Sequence, residues 1–433
     1  MGMSDTHRRL VYVIFLYTCI EGLVVNFFYP NPLAYLPKDV MIAMLYLGLM
    51  GRTNQSGSLA KFTMPFAFFA LVCFMFVAMP TPVAPMGLAV ALKQRLFYIP
   101  LMFAGYHFLR GDADLARLLR VIAWSSIPVS LFGIYLFFAG ASALSGMGAN
   151  YSHEFFSTSG AGGQSFYRVP GTFNSPGQFG AYLYVVATLM VGFLLVTGLS
   201  TRDRRMIILA LACLVPAMLV SGSRAPLLLF FVISGLIAMM SRQLSRAGLV
   251  AGIGYLLVIL SLDYLGVGVS DRMASTISQE NLERFTGTFF GQLWLRPLLT
   301  NPIGEGLAVA TVGARHFSLT GVRLVESYLG VLGTEMGIMG AAAFLGLAVP
   351  IAITLTRARA WMRNASAHSI WVSVYLLSMF TILLTTNSTA LDAIPGNLYF
   401  WFFVGVAVKM VDLERTRLMF ETVGGEPARV SSG

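Results

Sequence analysis

Apolar residues in this chain run in long blocks broken by short polar stretches, and the blocks are too long and too uniformly apolar to be strands of a barrel. Segments of roughly 17–25 residues, each able to cross a ~30 Å hydrocarbon layer, recur along nearly the whole length. Twelve are predicted, over about 10–28, 38–51, 61–79, 86–108, 117–140, 177–198, 206–220, 225–241, 247–267, 325–355, 369–386 and 393–411. In lipid only helices or closed barrels satisfy their own backbone groups. The predicted fold class is therefore all-α and polytopic, one membrane domain over 1–433 with about twelve transmembrane helices. The second, seventh and eighth segments are short, and 325–355 is long enough to hold a kink. HRR precedes the first segment but no small-residue cleavage site follows it, which predicts a retained span.

Composition agrees: 57% of the residues are hydrophobic and 11% charged. The net charge of +10 acquires a meaning once the segments are threaded through a membrane. With the N-terminus in the cytoplasm, 19 of the 29 Lys and Arg residues fall on inner segments, from Arg8 and Arg9 to Arg415, Arg417 and Arg429. That is the positive-inside pattern, so the charge calls for anionic lipid headgroups and for no nucleic acid. Cys19, Cys73 and Cys213 fall inside predicted spans without metal-ligand spacing and read as packing residues.

The same topology places two long segments on the outer face. Residues 141–176 are rich in Gly, Ser, Asn and aromatic residues, and 268–324 form the largest soluble piece, a large periplasmic loop. In the second, Leu282, Phe285, Phe289 and Leu293 share one helical face, which predicts an amphipathic helix of about 278–296 that ends before Pro297. Residues 412–433 form a cytoplasmic tail, expected to be short and loose after Arg417.

Four outer-face motifs carry candidate chemistry: RVPGTFNSPGQFGAYL (168–183), VSGSRAP (220–226), NPIGEGLA (301–308) and VRLVESYLGVLGTEMGIMG (322–340). Each has a plain reading. The first is a loop entering a span, with Asn174 or Ser175 as helix cap; Arg224 snorkels to the headgroups; GIMG is close helix packing. Together they support a sharper one. Arg168, Arg224 and Arg323 stand at the outer ends of three spans with no matching cluster of carboxylates in the adjoining sequence, which predicts a bound anion. The planar guanidinium suits phosphate, and a diphosphate engages two or three of them. The expected ligand is a lipid with its tail between helices and its diphosphate at the arginines. Glu326, three residues after Arg323, is either that arginine's salt-bridge partner or the general base for an incoming sugar hydroxyl. Glu305, Glu280, Glu283 and Asp271 are alternatives, and His153 and His316 lack ligand-like neighbours, so no metal is expected.

These motifs resemble those of the O-antigen ligase and polymerase superfamily of bacterial inner-membrane glycosyltransferases. There an R-x-x-G-T-F-x-x-P segment, an S-R-A segment opening a span, an N-P-x-x-G-x-G loop and a Y-L-x-x-x-x-E-x-G-x-x-G segment occur in this order; here they are Arg168 to Leu183, Ser223 to Ala225, Asn301 to Gly306 and Glu326 to Gly340. The resemblance covers about residues 90–411. It implies a C-type glycosyltransferase fold and an undecaprenyl-diphosphate-linked oligosaccharide as donor, with no metal or cofactor. It also implies inversion at the anomeric centre, with Arg168, Arg224 and Arg323 holding the diphosphate and the motif positions Asn174, Ser223 and Tyr328 binding substrate. Ligases of the family carry a His–Asn pair where Val325 and Glu326 stand here, so a polymerase is favoured over a ligase. Membrane lipids and a separate chain-length regulator are the further partners such an enzyme admits. A transporter of the same lipid is the remaining alternative; it requires charges near the bilayer midplane and broken helices, for which Lys93 and Arg95 are the nearest sequence candidates.

Overall fold

The computed structural model of the chain describes residues 3–28, 34, 36–50, 57–140, 143, 157–159, 165–241, 295–311, 313–314, 323, 325, 327–362, 367–386, 388–389, 391–392 and 394–422. It is a helical bundle. The helices are α1 (Asp5–Thr18), α2 (Glu21–Phe27), α3 (Leu36–Leu49), α4 (Thr63–Val77), α5 (Pro85–Leu92), α6 (Leu101–Phe108), α7 (Asp112–Ala139), α8 (Pro176–Leu194), α9 (Thr201–Val220), α10 (Arg224–Met240), α11 (Leu295–Thr300), α12 (Tyr328–Met362), α13 (His368–Leu384) and α14 (Gly396–Thr422). A 3₁₀ turn, Gly57–Phe62, leads into α4, and one π-helical turn, Lys93–Phe97, separates α5 from α6. Every predicted segment contains a described helix except 247–267, which lies outside the described residues.

Among the described residues six helical stretches are long and apolar enough to cross a membrane, and seven if α1 and α2, bent by 60° at residues 19–20, count as one broken span. The chain is thus a multi-pass membrane protein. Its outward-facing apolar side chains, Leu47, Phe68, Phe74, Trp124 and Phe138 among them, are more than half exposed, as lipid contact requires. Of the six candidate spans, those formed by α8 and α14 are the most enclosed and the one containing α4 the least.

Local sequence accounts for the helix starts. Ser4, Ser175 and Ser200 each accept a hydrogen bond from the backbone N–H three residues on, the N-cap arrangement, and Pro176 follows its cap at the position where a missing N–H costs nothing. Of the two caps considered for the 168–183 motif, Ser175 makes the bond. Close approach of α6 and α14 depends on two glycines. A methyl group on Gly105 would meet the Phe402 carbonyl, and one on Gly405 the Met102 carbonyl.

Two expectations need revision. Residues 157–159 and 165–167, within a segment expected to be loop, pair as a short antiparallel ladder (β1, β2). Pro297, expected to end a helix, instead lies within α11, which continues past it to Thr300. The amphipathic helix predicted for 278–296 falls almost wholly outside the described residues.

The expected kink in the tenth segment is at Gly337, whose φ of 59° and ψ of −152° break α12. An unbroken helix would bond the Ile338 N–H to the Thr334 carbonyl. Here Ile338 donates to Pro302 O at 2.9 Å, while the carbonyls of Thr334 and Glu335 accept from the N–H groups of Glu305 (2.8 Å) and Gly306 (2.9 Å). The NPIGEG loop thus supplies partners for backbone groups that the break deprives of helix bonds. Gly304, at φ 91°, makes the approach feasible; a side chain there would collide with the backbone of Glu335 and Gly337.

Candidate functional site

The four motifs dock in two pairs. In the first, RVPGTFNSPG lies against SGSRAP. The Val169 N–H bonds to Val220 O at 3.3 Å, the Arg168 guanidinium donates to Ser223 Oγ at 3.0 Å, and that hydroxyl donates to Pro176 O at 3.3 Å. Gly180 permits the contact, since a methyl group there would press on Ser223 and Pro226. Ser223 is the residue immediately before the 17-residue α10, which opens with Arg224. Arg168 is therefore held at a helix N-terminus, where unpaired N–H groups and the aligned peptide dipoles already favour negative charge. Asn174, further along the same motif, accepts from Asn26 Nδ2 at 3.3 Å and donates its backbone N–H to Gln178 at 3.2 Å.

In the second pair NPIGEG fills the break in α12. Around it lies a buried ionic cluster. The Arg95 guanidinium, from the π turn, donates to Asp392, to Thr311 Oγ1 (3.0 Å) and to Glu335 Oε2 (3.2 Å), and it lies 5.0 Å from the Tyr328 ring centroid. Glu335 also accepts from Thr311 Oγ1 (2.6 Å) and from the Ala310 N–H (3.2 Å). The three charged side chains are essentially without solvent exposure. Four residues from three segments, Thr311, Asp392 and, on α12, Tyr328 and Glu335, thus surround a single guanidinium. The Tyr328 and Leu329 N–H groups bond to Ser388 O (3.0 Å) and Thr385 O (2.9 Å), which seats the 385–392 loop on the start of α12.

A chain of direct contacts joins the two pairs. Asn174 meets Asn26 on α2; Glu21 on α2 accepts from the buried Lys38 of α3 at 2.6 Å; and Asp39, next to Lys38, accepts from Lys93 at 2.7 Å and from the Tyr98 hydroxyl at 3.2 Å. Lys93 is two residues from Arg95 in the π turn. All four motifs therefore lie at one end of the bundle, the loop end.

The predicted site residues divide accordingly. Arg168, Ser223, Asn174 and the backbone of Arg224 belong to the first pair. Tyr328 is buried under Arg95 in the second. Arg323, exposed, bonds to Glu305 at 2.5 Å, so it does have a carboxylate partner, one supplied from 18 residues upstream by the NPIGEG loop. Glu326 lies outside the described residues. Sequence reasoning missed Glu335, Asp392 and Thr311. Glu335 sat in plain view inside a motif, but nothing in the chain order pairs it with residues 240 and 57 positions away. No group of three or more His, Cys, Asp and Glu side chains suited to a metal occurs among the described residues.

The fold and the loop-end clusters define a multi-pass membrane protein with buried charge near one face. No protein-family model matches the sequence, and no curated protein is significantly similar to it.

Proposed function

We propose that this protein is a polysaccharide polymerase, a glycosyltransferase that moves a growing glycan from undecaprenyl diphosphate to the non-reducing end of a second lipid-linked repeat unit. It works on the periplasmic side of a bacterial inner membrane, with α3, α9, α10 and α13 and the predicted segment 247–267, which lies outside the described residues, completing a twelve-span, C-type arrangement. One observation supports the reading above the others: Arg168 is hydrogen-bonded to Ser223 at the N-terminus of the helix that Arg224 opens. Two arginine positions and a helix N-terminus at one locus favour a dianionic head more than any neutral ligand. As the sugar–phosphate bond breaks, negative charge grows on the departing diphosphate, and the arginines stabilise that charge more strongly than the ground state. Glu326, in the chain just before the buried Tyr328, takes the acceptor hydroxyl's proton, and inversion follows from direct attack. Glu326→Gln then abolishes polymer while leaving donor binding intact, and full activity would leave Glu326 without that role.

A transporter for the same lipid is the second reading. The buried Arg95–Asp392–Glu335 and Lys38–Glu21 pairs and the helix breaks at residues 19–20 and Gly337 favour it, because such features are common where substrates pass through a bundle. The glycolipids that accumulate in cells lacking the protein separate the readings. Single repeat units exposed on the outer face of the membrane support the polymerase. Units retained on the cytoplasmic face indicate the transporter, and full-length polymer stranded on its carrier indicates a ligase.

A further inference from the structure

The end of the bundle opposite the motif loops carries two kinds of cation. Several are matched: Arg8 with Asp114, Arg110 with Asp5, and Arg120 with Asp203 at 2.9 Å. A second group gathers where the 3₁₀ turn before α4 meets the ends of α12 and α14. On α12 Arg357 stands one turn before Trp361, and in the 3₁₀ turn Lys61 stands one turn after Ser58, which bonds to Asp412, itself one turn before Arg415 on α14. That carboxylate is already engaged by the Ser58 hydroxyl (2.5 Å), the Ser58 N–H (3.2 Å) and the Tyr106 hydroxyl (2.7 Å). Among the described residues none of Lys61, Arg357 and Arg415 forms an ion pair within 4.0 Å. Arg415 instead lies over the Trp361 ring, 5.2 Å from its centroid, and its Nε is buried without a hydrogen-bond partner. Trp361 is itself 44% exposed.

Three like charges converging on one occupied carboxylate repel one another, and an arrangement of this kind persists where an external anion offsets the repulsion. The position selects the anion. An exposed tryptophan beside cations at the ends of spans marks the boundary between acyl chains and headgroups. A phosphodiester with hydrocarbon attached satisfies the guanidinium groups and covers the indole together, which a small free anion does not.

We infer that Lys61, Arg357 and Arg415, with Trp361 as apolar floor, form a binding site for the phosphate of an anionic phospholipid on the face opposite the motif loops. This inference uses only the membrane character of the fold and is independent of the reaction proposed above.

Native mass spectrometry of the purified full-length protein, titrated in mixed micelles with phosphatidylglycerol or phosphatidylcholine, tests it. Phosphatidylglycerol is retained and phosphatidylcholine is not. Lys61→Gln and Arg357→Gln, both on exposed side chains and so without effect on folding, each weaken retention roughly fivefold. Arg120→Gln, which removes a charge already matched by Asp203, leaves retention unchanged. Wild-type retention in the Lys61→Gln/Arg357→Gln double variant would overturn the site, as would an equal loss in Arg120→Gln. Displacement of the lipid by inorganic phosphate at matching concentration would show an adventitious anion site and overturn it as well.

Discussion

Arg168 and Ser223, 55 residues apart in sequence, meet at 3.0 Å, and the bond pins a loop guanidinium to the start of α10. Ser223 is 7% exposed, so its hydroxyl has little water to fall back on. Ser223→Ala removes both the anchor of Arg168 and the donor to Pro176 O, at a cost of about 1–3 kcal/mol because one partner is charged. The expected outcome is a folded protein with a lower thermal midpoint and reduced polymer yield. An unchanged midpoint would show that the bond contributes nothing.

The kink in α12 makes a sharper stability prediction. Gly337→Ala forces a left-handed φ on an alanine and drives its methyl group into the Pro302–Ile303 backbone. Gly304→Ala does the same against Glu335 and Gly337. Each is expected to cost about 3 kcal/mol or more, from strain and collision combined. Gly346, on the same helix with open space around it, is the control: Gly346→Ala gains up to about 1 kcal/mol of helix propensity. Thermal unfolding in detergent orders the three variants, and a Gly337→Ala midpoint at or above that of Gly346→Ala contradicts the exchange of bonds at the break.

Arg95 holds two buried carboxylates. Arg95→Met leaves Glu335 and Asp392 together without a cation, a loss of about 3–5 kcal/mol, whereas Glu335→Gln keeps the acceptor for Thr311 and Ala310 and costs less. The double variant is predicted to be more stable than Arg95→Met alone, because one uncompensated charge has gone. Midpoints that add without coupling would mean the cluster does not act as a unit.

The Lys38–Glu21 pair separates structural from functional burial of charge. Breaking it with Lys38→Met leaves Glu21 unpaired, while Lys38→Met/Glu21→Leu replaces the pair with apolar atoms and is expected to recover most of the lost stability. Polymer synthesis in the double variant at wild-type levels assigns the pair to packing. Loss of synthesis in a stable double variant would favour the transporter reading.

What the sequence shows plainly is whatever depends on neighbours in the chain. Uniform apolar blocks mark the helices, Ser-Pro marks the start of α8, and the length of the tenth block anticipates the break at Gly337. Pairing across the bundle is less visible. The chain order of the motifs contains both docked pairs, but not the fact that NPIGEG takes over the helix bonds at Gly337, or that Glu305 holds Arg323. Glu335, Asp392 and Lys38 look incidental one at a time, because a buried charge declares itself only through a partner supplied by another span. Pro297 misled for a simpler reason: a proline does not stop every helix it occurs in.

The most direct measurement of the central claim is the product made by purified protein, reconstituted in vesicles and supplied with an undecaprenyl-diphosphate-linked repeat unit. Wild-type protein is predicted to extend the glycan, while Arg168→Ala and Arg224→Ala, folded and inserted normally, leave single repeat units on the carrier. Polymer of normal amount and length from either variant would contradict a diphosphate site at Arg168 and the start of α10.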